Sequence, residues 1–255
     1  MFGKNKDTVP EKKKETFSES LSGMAAVFVS GLFIITFIVQ AFEIPSGSME
    51  NTLLVGDHVF VDRLTPMSKA SYVGPLMPYR EIKRGDIIVF LHPTEPGMYV
   101  VKRVMGIPGD RIRLKDGVVY RNGEPLQEPY LHAHDRPTSP YRDDFPAIQA
   151  GPMDEVTSEW PMQMQAHLRN GELVVPPDSY FGMGDHRDVS LDSRYWGFIP
   201  RNNIVGRPLF IYWSFETPSD QYERKSAGER ISFLGHIVIH FFDQTRWSRM
   251  FHLVH

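Results

Sequence analysis

The sequence has no cysteine, which excludes disulfides and thiolate metal sites and fits a domain working outside the reducing cytoplasm. It has no marked excess of either charge, with 28 Lys and Arg against 31 Asp and Glu in 255 residues. The broad positive field of a nucleic-acid binder is missing, so no nucleic-acid partner is expected. Internal repeats and low-complexity tracts are absent, and so is a second long apolar run. With 41% hydrophobic residues, the chain can still bury one substantial domain, or a main domain with a sub-domain.

One long apolar run is present. Leu21 to Phe42, "LSGMAAVFVSGLFIITFIVQAF", carries no charge over 22 residues. As a helix it would reach roughly 33 Å, about one hydrocarbon core. It is longer than a signal-peptide core and ends in the bulky Val39, Gln40 and Phe42, so it reads as a retained anchor. Lys4, Lys6, Lys12, Lys13 and Lys14 precede it, and the first basic residue beyond it is Arg63. Basic residues stay on the cytoplasmic side, so residues 1–20 are expected inside and everything from Glu43 onward outside. The apolar patches of the last 25 residues are broken by His236, His240, Asp243 and Arg246 and predict buried strand or amphipathic surface.

Beyond the run, "DHVFVDRL" alternates and "GDIIVFLH" is short and β-rich, so both predict strands. The loop between them, Thr65 to Arg84, carries Met67, Tyr72, Leu76, Met77 and Tyr79, which suit either a lipid interface or the loop's own core. "MYVVKRVMGIPGDRIRLKDGVVYRNGEPL" predicts strands with turns at Asp116-Gly117 and Asn122-Gly123. Residues 128–172 hold six prolines without clear periodicity and read as a loop-rich insertion. Strand patterns return at "ELVVPPDSYFGMGD" and "NIVGRPLFIYWSF". The expected fold is mainly β.

Without cysteine, the nucleophile candidates are hydroxyls, which need a base at neutral pH. Ser48 stands in "PSGSM", six residues beyond the run, and Lys102 lies inside the apolar stretch "YVVKRV". Alternation points Lys102 to the same face as Val100 and Val104, where burial would favour the neutral amine and make it a base. Each feature has a plainer reading: a Ser-Gly-Ser turn, and a strand lysine snorkelling to water. A third stretch, "GMGDHRDVSLDSRYWG", packs three aspartates, two arginines and two serines between glycines, more than a surface turn requires.

The three stretches "SGSM…TL..GD", "VKRV.G.PGD" and "GD.RD.S.DSRYWG", in this order, resemble the type I signal peptidases, the leader peptidases. The likeness runs from about Phe42 to Pro208 and returns in "TRWSRMFHLVH". It implies a serine-lysine dyad endopeptidase with Ser48 as nucleophile and Lys102 as general base, and an oxyanion hole made by the Ser46 hydroxyl and the Ser48 backbone N–H. It further implies that Ser190 orients the lysine and that Asp185 with Arg103, and Asp192 with Arg194, brace the site. Phe42, Ile44, Leu53 and Val101 are implied to line pockets for small side chains of an Ala-x-Ala-like cleavage site. The resemblance implies a β catalytic core over 43–110 and 177–255, an inserted β-rich sub-domain over 111–176, and one transmembrane anchor over 21–42. The expected setting is the bacterial inner membrane, with the catalytic part on the outer side, signal peptides and lipid as partners, and no cofactor. Asn51 stands where the family often has proline, and His186 and Val189 where it often has asparagine. Many relatives also have two spans.

Three other readings compete. A self-cleaving repressor shares the dyad but needs a DNA-binding domain, for which the first twenty residues are too few. A tethered binding module would not need both Ser48 and Lys102. A metal enzyme could use His132 and His134, or His236 and His240, but no acidic or thiolate set accompanies them in the sequence, and no metal is expected.

Overall fold

The computed structural model describes residues 16–63, 80–132, 135–146, 151, 155–219, 221 and 226–255. Most of the 65–84 loop, and His134, lie outside these residues.

Helix α1, Phe17–Phe33, opens on a capping box in which Glu19 N–H donates to the Thr16 hydroxyl and Thr16 N–H donates to the Glu19 carboxylate. A π-helical turn, Ile34–Ile38, leads directly into strand β1, Val39–Glu43. The 21–42 run is therefore not one helix. Its last four residues join a sheet, where Val39 to Phe42 pair with Asp62 to Val59 and satisfy their backbone groups through a neighbour. Among the described residues no helix is long and apolar enough to cross a membrane.

A 3-10 turn at Gly47–Met49 follows, then strands β2 (Asp57–Asp62), β3 (Ile87–Leu91), β4 (Tyr99–Gly106), β5 (Arg111–Lys115), β6 (Val118–Arg121) and β7 (Glu124–Pro125). Helices α2 (Pro140–Asp143) and α3 (Trp160–His167) precede β8 (Leu168–Arg169), β9 (Glu172–Val174) and β10 (Ser179–Met183). The chain ends with α4 (Ser193–Trp196), β11 (Ile199–Pro200), β12 (Ile204–Ser214) and α5 (Ala227–Ile239). The strands make two antiparallel sheets, β1-β2-β12-β3-β4-β10-β11 and β7-β6-β5-β9-β8. Both expected tight turns are present, with Asp116, Gly117, Asn122 and Gly123 at positive φ, as such hairpins require. The C-terminal patches form no buried strand over 227–239. They form α5, with Ile231, Leu234, Val238 and Ile239 exposed.

Strand β3 is apolar and buried on both sides because the larger sheet is covered on both faces. Ile87 and Val89 meet Ile44, Leu53, Val59 and Ile211 on one face, while Ile88 and Phe90 meet Val104, Tyr180 and Ile199 on the other. A third apolar cluster ties the smaller sheet to the larger through Met105, Phe181 and Met183 packed with Ile112, Leu114 and Phe145. Each such side chain contributes about 1.5–3 kcal/mol by leaving water.

The tail is fixed by charge. Asp57, fully buried at the start of β2, accepts from Ser214 Oγ at 2.6 Å, Leu54 N–H at 2.8 Å and Arg249 at 2.6 and 3.1 Å. Asp57→Ala is expected to destabilise the domain by about 3 kcal/mol, the low end for a broken buried pair because Arg249 keeps some solvent contact. Urea unfolding measures it, and a midpoint equal to wild type would show that Asp57 does not hold the tail.

Candidate active site

Ser48 sits in the 3-10 turn at Gly47–Met49, after Ser46 in extended conformation. Met49, buried beside Ile44 and Leu53, pins the turn to the apolar face, and its carbonyl accepts from Leu53 N–H at 2.8 Å. The Ser48 carbonyl accepts from His186 N–H at 3.1 Å, joining the turn to the 184–192 loop. Ser46 is exposed, with no capping bond from its side chain.

Lys102 arrives from β4, opposite Ile88 in β3. The neighbouring β10 offers Gly182, where a Cβ would lie 3.2 Å from Lys102 Cβ and 2.7 Å from Ile199 Cδ1. The missing side chain leaves room for the lysine stem. Lys102 Nζ donates to Ser48 Oγ at 2.7 Å, and both residues are buried. Burial pulls the Lys102 amine down to about 8; Asp192 and Asp185 oppose this, and Arg194 adds to it.

The carboxylates that would hold Lys102 charged are themselves paired. Asp192 accepts from Arg194 Nε and Nη2, both at 2.8 Å, and from Gly184 N–H at 3.1 Å. Burial pushes the Asp192 carboxyl up, but Arg194 and the Lys102 charge outweigh it and keep it below the usual carboxylate range. Asp185 accepts from Arg103 Nε at 2.8 Å and Nη2 at 2.7 Å. Ser190 donates to Asp192 at 2.8 Å, so its link to Lys102 runs through that carboxylate. At Gly184 a Cβ would overlap both Ser190 Oγ and the Ser48 carbonyl oxygen, so the loop can close on the turn only with glycine there.

Phe42, Ile44, Leu53 and Val101 all belong to one apolar cluster. Ile44 and Leu53 are buried in it, while Phe42 and Val101 keep some exposed surface. Met49 and Val254, from the "SGSM" and "TRWSRMFHLVH" stretches, join the same cluster, a packing role that their motifs did not indicate. Two polar supports were also unforeseen. The Thr52 hydroxyl donates to Asp185 and accepts from Arg103 Nη2 at 3.2 Å; it lies within the "TL..GD" stretch, which could have marked it. The Tyr130 ring lies 3.8 Å from the Arg103 guanidinium carbon, and nothing in the sequence ties it to Arg103. The Arg194 carbonyl accepts from Tyr141 at 2.6 Å and Trp160 Nε1 at 2.8 Å, which roots α2 and α3 to the same loop.

Comparisons with known proteins bear on the family of the whole chain. The family model described as "Signal peptidase, peptidase S26" matches residues 17–213. A signal peptidase I of Buchnera aphidicola is 30% identical over 266 residues, covering 89% of this chain and 83% of its own length. A signal peptidase I of Pseudomonas fluorescens is 33% identical over 210 residues, covering 75% of this chain and 72% of its own. A solved signal peptidase I of Enterococcus faecalis is 27% identical and covers 50% of this chain and 97% of its own, at a TM-score of 0.33. With a family match across most of its length, the chain belongs to the signal peptidase family, peptidase S26, and is a serine endopeptidase of the signal peptidase I kind.

Proposed function

We propose that this protein is a membrane-tethered endopeptidase that removes N-terminal signal peptides from exported preproteins, cutting after Ala-x-Ala-like sites. The observation that carries the reading is the 2.7 Å contact between Ser48 Oγ and a buried Lys102 whose amine titrates near 8. A neutral Lys102 reverses the sense of that bond and accepts the Ser48 proton, freeing Oγ to attack the carbonyl after the small residue. The Ser48 backbone N–H and the Ser46 hydroxyl hold the oxyanion. The Lys102 ammonium then gives its proton to the leaving amine, and water, activated by the same amine, releases the acyl group. Ser190, Asp192 with Arg194, and Asp185 with Arg103 are positioning residues that hold the lysine's surroundings without touching substrate.

Phe42, Ile44, Leu53 and Val101 line the wall that accepts small side chains, a role supported by their shared cluster beside the Ser48 turn. Residues 21–38, the part of the run before β1, tether the protein to the inner membrane, with the N-terminus cytoplasmic and the catalytic part outside. Support comes from the exposed apolar side chains Val27, Phe28, Leu32, Phe33, Ile34 and Ile35, which water would leave at a cost and lipid would not. Residues 43–110 and 177–255 make the catalytic core, and 111–176 an inserted sub-domain, a division supported by the separate sheet of β5 to β9.

Purified in detergent, the protein is expected to cut a preprotein carrying Ala-x-Ala at a single mapped bond. Lys102→Arg should abolish cleavage with folding retained, because a guanidinium with pKa above about 12 cannot act as base. Cleavage near the wild-type rate would make Lys102 structural. Ser46→Ala should lower turnover by about 100-fold or more, since one oxyanion donor is lost and another remains. A rate equal to wild type would reduce Ser46 to a turn residue.

A further inference from the structure

His132 and His134 lack an acidic partner in the sequence, but the fold supplies one to His132. The segment 128–132 is tied to the residues just after the Ser48 turn by Asn51, whose side-chain amide donates to the Leu131 carbonyl at 2.8 Å, and to the 184–192 loop by His132 N–H donating to the Asp185 carbonyl at 3.1 Å. The His132 ring stacks on that of His186, with centroids 4.0 Å apart and planes 20° from parallel. Glu50, two residues beyond Ser48, reaches the same place, its Oε2 3.1 Å from His186 Nδ1. One ligand atom from each of Glu50, His132 and His186 lies within 4.8 Å of the other two.

The second nitrogen of His186 completes the pattern. His186 Nε2 lies 3.2 Å from Asp135 Oδ1, and the ring is buried. A proton on Nε2 donated to Asp135 leaves the Nδ1 lone pair facing Glu50, which is how a carboxylate orients a metal-ligating histidine and raises its basicity. Asp188 lies on the other side of His186, but it already accepts from the Asp135 and Arg136 N–H groups and pairs with Arg142 at 3.1 Å, so it is committed elsewhere.

We propose that Glu50, His132 and His186 bind one divalent transition cation of the zinc class, with Asp135 holding His186 from behind. Two imidazoles and a carboxylate are a fitting donor set for such an ion, with water as the fourth ligand. Metal bonds of about 2.0–2.2 Å put ligand atoms about 3.3 Å apart. Glu50 Oε2 and His186 Nδ1 already stand at about that spacing, and His132 must swing out of its stack on His186 to bring a ring nitrogen to the ion. The ion cross-links the turn that carries Ser48 to the segment 128–132 and to the 184–188 loop. It is a clamp on the nucleophile's turn and takes no part in the peptide cleavage proposed above.

The test uses the full chain in detergent, stripped with a chelator and titrated with Zn2+ by calorimetry and with Co2+ by visible absorption. Wild type is expected to bind one equivalent of Zn2+ and to give the absorption bands of tetrahedral Co2+. His132→Ala and His186→Asn should lose both signals. Asp135→Asn, at a half-exposed position, should keep the stoichiometry and weaken binding by about 10–100-fold. Circular dichroism of each stripped variant confirms that it is folded. Absence of stoichiometric binding by wild type overturns the proposal. So does binding that survives His132→Ala and disappears on His240→Ala, since His236 and His240, with rings 4.5 Å apart on the end of α5, would then be the site. An Asp135→Asn affinity equal to wild type also counts against it.

Discussion

Burying the Lys102 amine against the Ser48 hydroxyl is the contact that the surrounding structure has to permit. An ammonium in an apolar strand is unfavourable, and a fully buried lysine resolves that cost by giving up its proton more easily. Two carboxylates nearby would cancel the effect if they were free. Each is instead held two-pronged by an arginine, Asp192 by Arg194 and Asp185 by Arg103, so that burial outweighs their pull and the amine titrates near 8. The glycines of β10 and the loop after it serve the same contact: Gly182 makes room for the lysine stem and Gly184 lets the loop close on the Ser48 turn.

Each of those arginines is tied in turn to a different part of the chain. Arg103 binds Asp185 through its edge and lies with its guanidinium carbon over the Tyr130 ring, and the Arg194 backbone receives Tyr141 and Trp160. Tyr130, Tyr141 and Trp160, all between β7 and β8, therefore brace the nucleophile's surroundings from outside the larger sheet. A cation held by Glu50, His132 and His186 would add a third tie of this kind.

Strand positions were legible because the patterns of both sheets are local: alternation in β2 and a doubly covered apolar run in β3 of the larger, and Asp-Gly and Asn-Gly turns around β6 of the smaller. The nearness of Ser48 and Lys102 was not readable from spacing, because 54 residues separate them, and rested on resemblance alone. The apolar run misled at its end. Hydropathy does not distinguish residues that continue a helix from residues such as Val39 to Phe42 that find backbone partners in a sheet. Thr52 was visible as part of a motif. Tyr130 was not, and Met49 and Val254, though also inside motifs, carried no sign of their packing, since these roles exist only once distant segments come together. The same holds for Glu50 and His186 beside His132.

The central claim, that Lys102 works as a neutral base made available by burial, is tested most directly by the pH dependence of single-turnover cleavage in the wild-type protein. Because the neutral amine is the active form, the rate should be low when it is protonated and rise with pH through a midpoint of about 8. A rate that does not change with pH between about 6 and 10, bracketing that midpoint and reaching nearly to the roughly 10.4 of a free lysine, would contradict the account and move the proton to another group.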